Sequence, residues 1–127
     1  MSAHFHLYLC GRIAAEWLIF MKRIGELIKI KPEGKQAYID WHANPLPGVN
    51  EMIKECNIQN YSIYIRGDYM FAYYEYVGED FEADMAKMAA DPTTQKWWDI
   101  VKPLMEPLPD RPEGAFWSPM TEVYHLD

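Results

Sequence analysis

Tyr61-Ser62-Ile63-Tyr64-Ile65-Arg66-Gly67-Asp68-Tyr69-Met70-Phe71-Ala72-Tyr73-Tyr74-Glu75-Tyr76 decides the fold. Two runs of β-branched and aromatic residues flank Gly67-Asp68, and a two-residue loop with glycine first is a favoured connection in tight antiparallel hairpins. That turn sets a register in which Arg66 faces Tyr69, Ile65 faces Met70, Ile63 faces Ala72 and Tyr61 faces Tyr74. Side chains alternate along a strand, so one face carries Tyr61, Ile63, Ile65, Met70, Ala72, Tyr74 and Tyr76. Small Ala72 leaves room among bulky neighbours, with Tyr61 and Tyr74 flanking it. The opposite face carries Tyr64, Tyr69, Phe71 and Tyr73. It is too apolar to stand open to water, which predicts that a second copy of the chain covers it as a homodimer.

Upstream of the hairpin, Ile24, Ile28 and Ile30 share one register and predict a strand over 24–30, which Lys31-Pro32-Glu33-Gly34 breaks. A helix follows over Lys35–Ala43, stopped by Pro45 and Pro47. Val49, Met52, Ile53 and Cys56 then fall at helical spacing. Downstream, Gly78 ends the hairpin and Asp80 caps a helix carrying Phe81, Met85 and Met88 on one side. Asp91-Pro92 opens a last helix through Gln95–Met105, with Trp97, Val101 and Leu104 in one stripe and Trp98 about 100° round from it. Pro103, Pro107, Pro109 and Pro112 dissolve that pattern. Alternation over Met120–Leu126, just after Pro119, predicts a closing strand at a sheet edge. The order strand, helix, strand, strand, helix, strand is the α+β, ferredoxin-like split βαβ arrangement, one antiparallel sheet with helices on one face.

The 127 residues fit one domain. Twelve Lys and Arg against nineteen Asp and Glu give a net charge of −7, which argues against a nucleic-acid partner and for a neutral small ligand. Cys10 and Cys56 have no metal-ligand spacing, so a reducing, cytoplasmic setting is expected. Residues 1–20 differ from the rest. They carry apolar residues over Ala14–Phe20, but Arg12 and Glu16 interrupt any membrane span, and no positively charged segment precedes the run as in a secretion signal. Met21-Lys22-Arg23 reads as a second beginning, so the domain is expected over 21–127, with 1–20 a leader or a misassigned start. His4, His6 and Cys10 supply three donors without a fourth, so no metal is expected.

Tyr38 and His42 lie four apart on the first helix, one turn above each other on one face. Imidazole is the side chain whose ordinary pKa lies near neutrality, so this pair is a candidate acid/base site, and Tyr61 joins it if the helix packs over the sheet. A lone histidine on a helix is nonetheless more often a surface or core residue, and aromatics are more often core than ligand platform. Asp40 is two residues from His42 and does not face it. His125 reads as structural. No phosphate loop or redox-cofactor motif is present.

Tyr38-Ile39-Asp40-Trp41-His42 resembles the Tyr-x-x-x-His motif of the L-rhamnose mutarotases, and Asn60-Tyr61-Ser62-Ile63-Tyr64 resembles their Asn-Tyr-x-Ile strand. Phe71-Ala72, Trp97-Trp98 and Glu122-Val123-Tyr124-His125-Leu126 match in the same order, so the resemblance covers roughly residues 25–126. It implies a cofactor-free sugar isomerase in which His42 is the proton donor and Tyr38, Tyr61, Trp97 and Trp98 bind the monosaccharide. Two departures bear on which sugar is taken: Leu46-Pro47-Gly48 stands where the family usually has Trp-Pro-Glu, and Asp40-Trp41 replaces basic residues before the histidine. Two other classes share these features. One is a cofactor-independent monooxygenase of the dimeric α/β-barrel type, marked by oxygen uptake with a quinol; the other is a non-catalytic sugar-binding dimer.

Overall fold

Strand β1 (Lys22–Ile30) supplies the middle of one antiparallel sheet. The computed structural model describes residues 21–127, so the expectations for residues 1–20, including the donors His4, His6 and Cys10, lie outside the described residues. A 3-10 turn at Pro32–Gly34 leads into α1 (Lys35–Ala43), and α2 (Val49–Glu55) follows the proline-containing break. Gly48, at the entry to α2, has φ +98, a conformation that favours glycine over any residue with a Cβ. β2 (Ile58–Arg66) and β3 (Tyr69–Tyr76) form the hairpin, with Gly67 at φ +59 in the turn. Then come α3 (Phe81–Ala90) and α4 (Pro92–Val101), whose first backbone N–H groups are capped by the Asp80 and Asp91 carboxylates.

The sheet order is β2-β3-β1, with the far edge of β1 shared by two short pieces, β4 (Met105–Glu106) and β5 (Ser118–Met120). This is the expected split βαβ topology. The hairpin register is also as expected for Arg66↔Tyr69, Ile65↔Met70 and Ile63↔Ala72. Beyond Ser62↔Tyr73 the pairing shifts to Gln59↔Glu75, so β2 carries one extra residue, and Asn60 takes φ +50. The Glu75 carboxylate holds this bulge by accepting from Asn60 (2.6 Å), Gln59 (3.1 Å) and Tyr73 (2.9 Å). Bulges re-aim side chains, and here Tyr61 still stacks on Tyr74, ring centroids 5.3 Å apart.

Two expectations need correction. The last helix ends at Val101 and tightens into a 3-10 turn over Lys102–Leu104, because Pro103 cannot donate to the α-helical ladder. The closing strand is not Met120–Leu126. Only Ser118–Met120 pairs with β1, and residues 121–127 have no regular structure. Val123, Tyr124 and Leu126 are exposed, so their alternation has no apolar surface to match. The Arg23–Glu122 ion pair, 2.9 Å, tethers this end.

The helices cover one face of the sheet. Ile28, Ile30, Met70, Tyr38, Val49, Trp97, Val101 and Met105 form one buried cluster, and Cys56, Ile58, Tyr74, Tyr76 and Met88 a second. No described helix is long and apolar enough to cross a membrane. Gly78 shows how tightly the second cluster closes. A Cβ there would lie 2.3 Å from the Tyr76 hydroxyl and 2.7 Å from an Asp84 oxygen, two groups hydrogen-bonded to each other. Gly78→Ala is therefore expected to cost about 1–3 kcal/mol of stability by displacing that pair. Urea unfolding measures it, and an unchanged midpoint would show that the strand end shifts without cost.

Candidate active site

α1 lies over the sheet so that Tyr38 is buried, and His42, one turn on, stacks against it at 4.0 Å between ring centroids. Trp97 of α4 closes the other side of the imidazole edge-on at 5.0 Å, and Trp41 meets Trp97 at 6.4 Å. The backbone carbonyl of Tyr38 accepts from His42 Nδ1 at 2.7 Å. A carbonyl has no proton to give, so Nδ1 carries the hydrogen and Nε2 keeps its lone pair. Burial lowers the His42 pKa below the ordinary imidazole value, against a smaller upward pull from that carbonyl. The ring is thus a neutral base near neutral pH, with orientation and tautomer both set by α1 itself.

Tyr61 comes from the bulged end of β2. The residue is 40% exposed, so the cluster opens to solvent here, yet its hydroxyl end is crowded by protein. Burial raises the pKa of Tyr38, Tyr61 and Tyr74, and each is raised further by a neighbour: Tyr38 by Tyr61, Tyr61 by Glu26, and Tyr74 by both Glu26 and Tyr61. All three phenols stay protonated; Tyr74 donates to Glu26 at 3.3 Å and stacks on Tyr61. They are hydrogen-bond donors whose own pKa is unfavourable for full ionisation.

The structure therefore brings His42, Tyr38, Tyr61 and Trp97 together on the helix side of the sheet. Trp97 is 7% exposed and acts as the wall behind the imidazole. Trp98 is half-buried and packs against both core clusters, while Lys102 sits 4.3 Å from its ring centroid and 5.1 Å from that of Phe116. Tyr74 joins through its stack on Tyr61. His125 lies apart from this group, against Asp127 and Glu122 at the exposed end of the chain. Two shallow surface depressions, about 340 and 410 Å³, lie outside the cluster and contain neither the imidazole nor a phenol of this group. The convergence of titratable groups, and not concavity, marks the site.

Glu26 escaped the sequence reading. Its signal was the spacing Ile24-x-Glu26-x-Ile28-x-Ile30, which puts a carboxylate in the buried register of β1. It pairs opposite Ala72.

A ferredoxin-like sheet carrying an imidazole, three phenols and a carboxylate under its helices defines a small-molecule protein of the α/β-barrel type. The family model described as L-rhamnose mutarotase matches residues 23–126. The chain belongs to the L-rhamnose mutarotase family. It is 34% identical to the L-rhamnose mutarotase of Phocaeicola vulgatus over 109 residues, 84% of this chain and 100% of that protein. The crystal structure of an L-rhamnose mutarotase from Formosa agariphila superposes with TM-score 0.64 at 26% identity, covering 84% of this chain and 99% of that one. The tetracenomycin F2 cyclase of Streptomyces glaucescens shares the fold alone, with TM-score 0.60 at 14% identity, over 84% of this chain and 97% of that one.

Proposed function

We propose that this chain interconverts the α and β anomers of L-rhamnose, or of a closely related aldohexose, with His42 as the proton-transfer group and no cofactor. The observation that carries this reading is the tether from His42 Nδ1 to the Tyr38 carbonyl, which leaves Nε2 without a partner among the described residues in a ring stacked on the Tyr38 phenol. In the reaction, Nε2 accepts the proton of the anomeric hydroxyl. The bond from C1 to the ring oxygen breaks, the anomeric oxygen becomes an aldehyde carbonyl, and the imidazolium returns its proton to the former ring oxygen. Both oxygens are attached to C1, so one imidazole nitrogen reaches each in turn. Rotation about C1–C2 presents the other carbonyl face, and the reverse steps close the ring on the opposite anomer.

Tyr38 and Tyr61 donate to sugar oxygens in this scheme, Trp98 offers an apolar face to the ring C–H groups, and Trp97 holds the imidazole. The carbonyl of the open chain gains most from such donors, because charge develops there as the ring opens. Saturation-transfer NMR on L-rhamnose tests the activity: faster exchange between anomers with protein than without supports it, and an unchanged rate overturns it.

The working unit in this reading is a cytoplasmic homodimer built from residues 21–127. Tyr64, Tyr69 and Phe71 are 62%, 48% and 37% exposed on the face away from the helices, and Tyr64 and Phe71 stack on each other there. Such an aromatic surface favours a second copy of itself. A chain beginning at Met21 is expected to keep the melting temperature and exchange rate of the full-length chain. A drop of several degrees would show instead that residues 1–20 pack on the domain.

A further inference from the structure

Glu26 is the one carboxylate that β1, β2 and β3 turn toward the helices among the described residues. Pairing places Ile63, Ala72 and Glu26 in one row across the three strands and Ile24 opposite Tyr74 in the next, where Tyr61 stacks on the Tyr74 ring. Opposite Glu26, Ala72 is fully buried and contributes a single methyl group, while Tyr61 beside Tyr74 is 40% exposed and opens this row toward solvent. Around it are phenols and apolar groups. Its hydrogen-bond partner among the described residues is the Tyr74 hydroxyl, at 3.3 Å, long for a hydroxyl donating to a carboxylate. No cation pairs with it there.

A carboxylate in such surroundings normally collects two or three donors or an opposite charge, because desolvation without them is costly. Among the described residues most of its acceptor capacity is unused, and burial raises its pKa against the weaker opposing pull of Tyr74. Structure alone gives no return for this arrangement: an apolar residue beside Ala72 would pack without that cost. A carbohydrate supplies what is lacking, since neighbouring sugar hydroxyls are paired donors at the spacing of two carboxylate oxygens.

We propose that Glu26 is a substrate-binding residue whose carboxylate accepts hydrogen bonds from hydroxyls of the monosaccharide held beside Tyr61 and Tyr74, with Tyr74 orienting it. This rests on the mutarotase reading and adds to it a determinant of which sugar is taken. A site built to bond a hydroxyl rejects the analogue lacking it, because its own polar group is then left unpaired.

The test measures dissociation constants by calorimetry for L-rhamnose and its 2-, 3- and 4-deoxy analogues, with anomer exchange by NMR read separately. Glu26→Gln is expected to weaken L-rhamnose binding about 10–100-fold, the range for a hydrogen bond to a charged group. It should also abolish the penalty that wild type shows for one of the deoxy analogues. At neutral pH the variant should melt no lower than wild type, since it removes a partly buried charge. Equal affinities in Glu26→Gln and wild type, or a deoxy penalty that survives the substitution, would overturn the proposal. Should the variant fail to fold, the carbon-13 signal of the Glu26 carboxyl in wild type decides: its titration midpoint falls on adding sugar if hydroxyls bond the charged form, and an unmoved midpoint overturns the assignment. Wild type that binds sugar without speeding exchange sinks the mutarotase reading while the Glu26 comparison stands on affinity. Wild type that exchanges anomers, beside a Glu26→Gln chain of equal affinity, does the reverse, and wild type that binds no sugar sinks both.

Discussion

Replacing His42 by alanine is expected to lower the catalysed rate of anomer exchange by about 10²–10⁴-fold, the usual contribution of a positioned proton-transfer group. The loss should appear in kcat more than in KM, because the proposed sugar-binding residues Tyr38, Tyr61 and Trp98 remain. The fold should survive. The substitution removes the stack on Tyr38 and the edge contact with Trp97, about 0.5–1.5 kcal/mol for each aromatic pair, and circular dichroism should read as wild type. The same residue fixes a pH signature. Burial holds the folded-state pKa of His42 below the ordinary imidazole value of about 6.5, and the reactive form is the neutral one. The acid limb of kcat/KM attributable to His42 should therefore have its midpoint below 6.5, not at it. Stability follows the same sign. In the unfolded chain this histidine takes up its proton at a higher pH than in the folded one, so its contribution is complete above the unfolded value. That contribution is lost as the pH falls toward the folded value. A His42→Ala chain that exchanges anomers at the wild-type rate would remove the imidazole from the mechanism, whatever the family.

Phe71→Glu should turn the proposed homodimer into a monomer. Phe71 stacks with Tyr64 at 6.4 Å on the bare face of the sheet and is exposed in the single chain. A glutamate there is tolerated by the isolated fold, at a cost of about 1 kcal/mol in sheet preference. Across a two-fold interface the same change occurs twice, once from each copy. Each places an unpaired carboxylate where water is excluded, at several kcal/mol apiece. The dimer dissociation constant should rise by at least about 10³-fold, which sedimentation equilibrium reads directly, with Phe71→Leu remaining dimeric as the control. A Phe71→Glu chain that still sediments as a dimer would place the interface elsewhere, as would a wild-type chain that is monomeric.

How far the sequence carries differs along the chain. Asp80 and Asp91 were legible as caps because capping is local: a carboxylate needs only the N–H groups three residues on, as both show. The glycine-first turn fixed the register of the residues next to it for the same reason. That register could not be extended to Gln59, because the bulge depends on Glu75 reaching back across the hairpin to Asn60 and Gln59. Met120–Leu126 misled because alternation records an ability to pair, while the partner edge on β1 is already shared by Ser118–Met120 and Met105–Glu106.

The site divides along the same line. By itself the sequence determined that Tyr38 and His42 share a helix face, that Tyr61 and Tyr74 share a strand face, and that the order of elements permits a split βαβ sheet. All of these follow from periods of 3.6 and 2 within one element or one hairpin. Only the tertiary structure decided that Trp97 backs the imidazole while Trp98 stays half-buried, and that the Tyr38 carbonyl sets the tautomer of His42. It alone put Glu26 beside Ala72 and the phenols. Those outcomes depend on how α1, α4 and β1 meet across distances in sequence that no local period encodes, and on burial, which sets the pKa of each group only once its neighbours are in place.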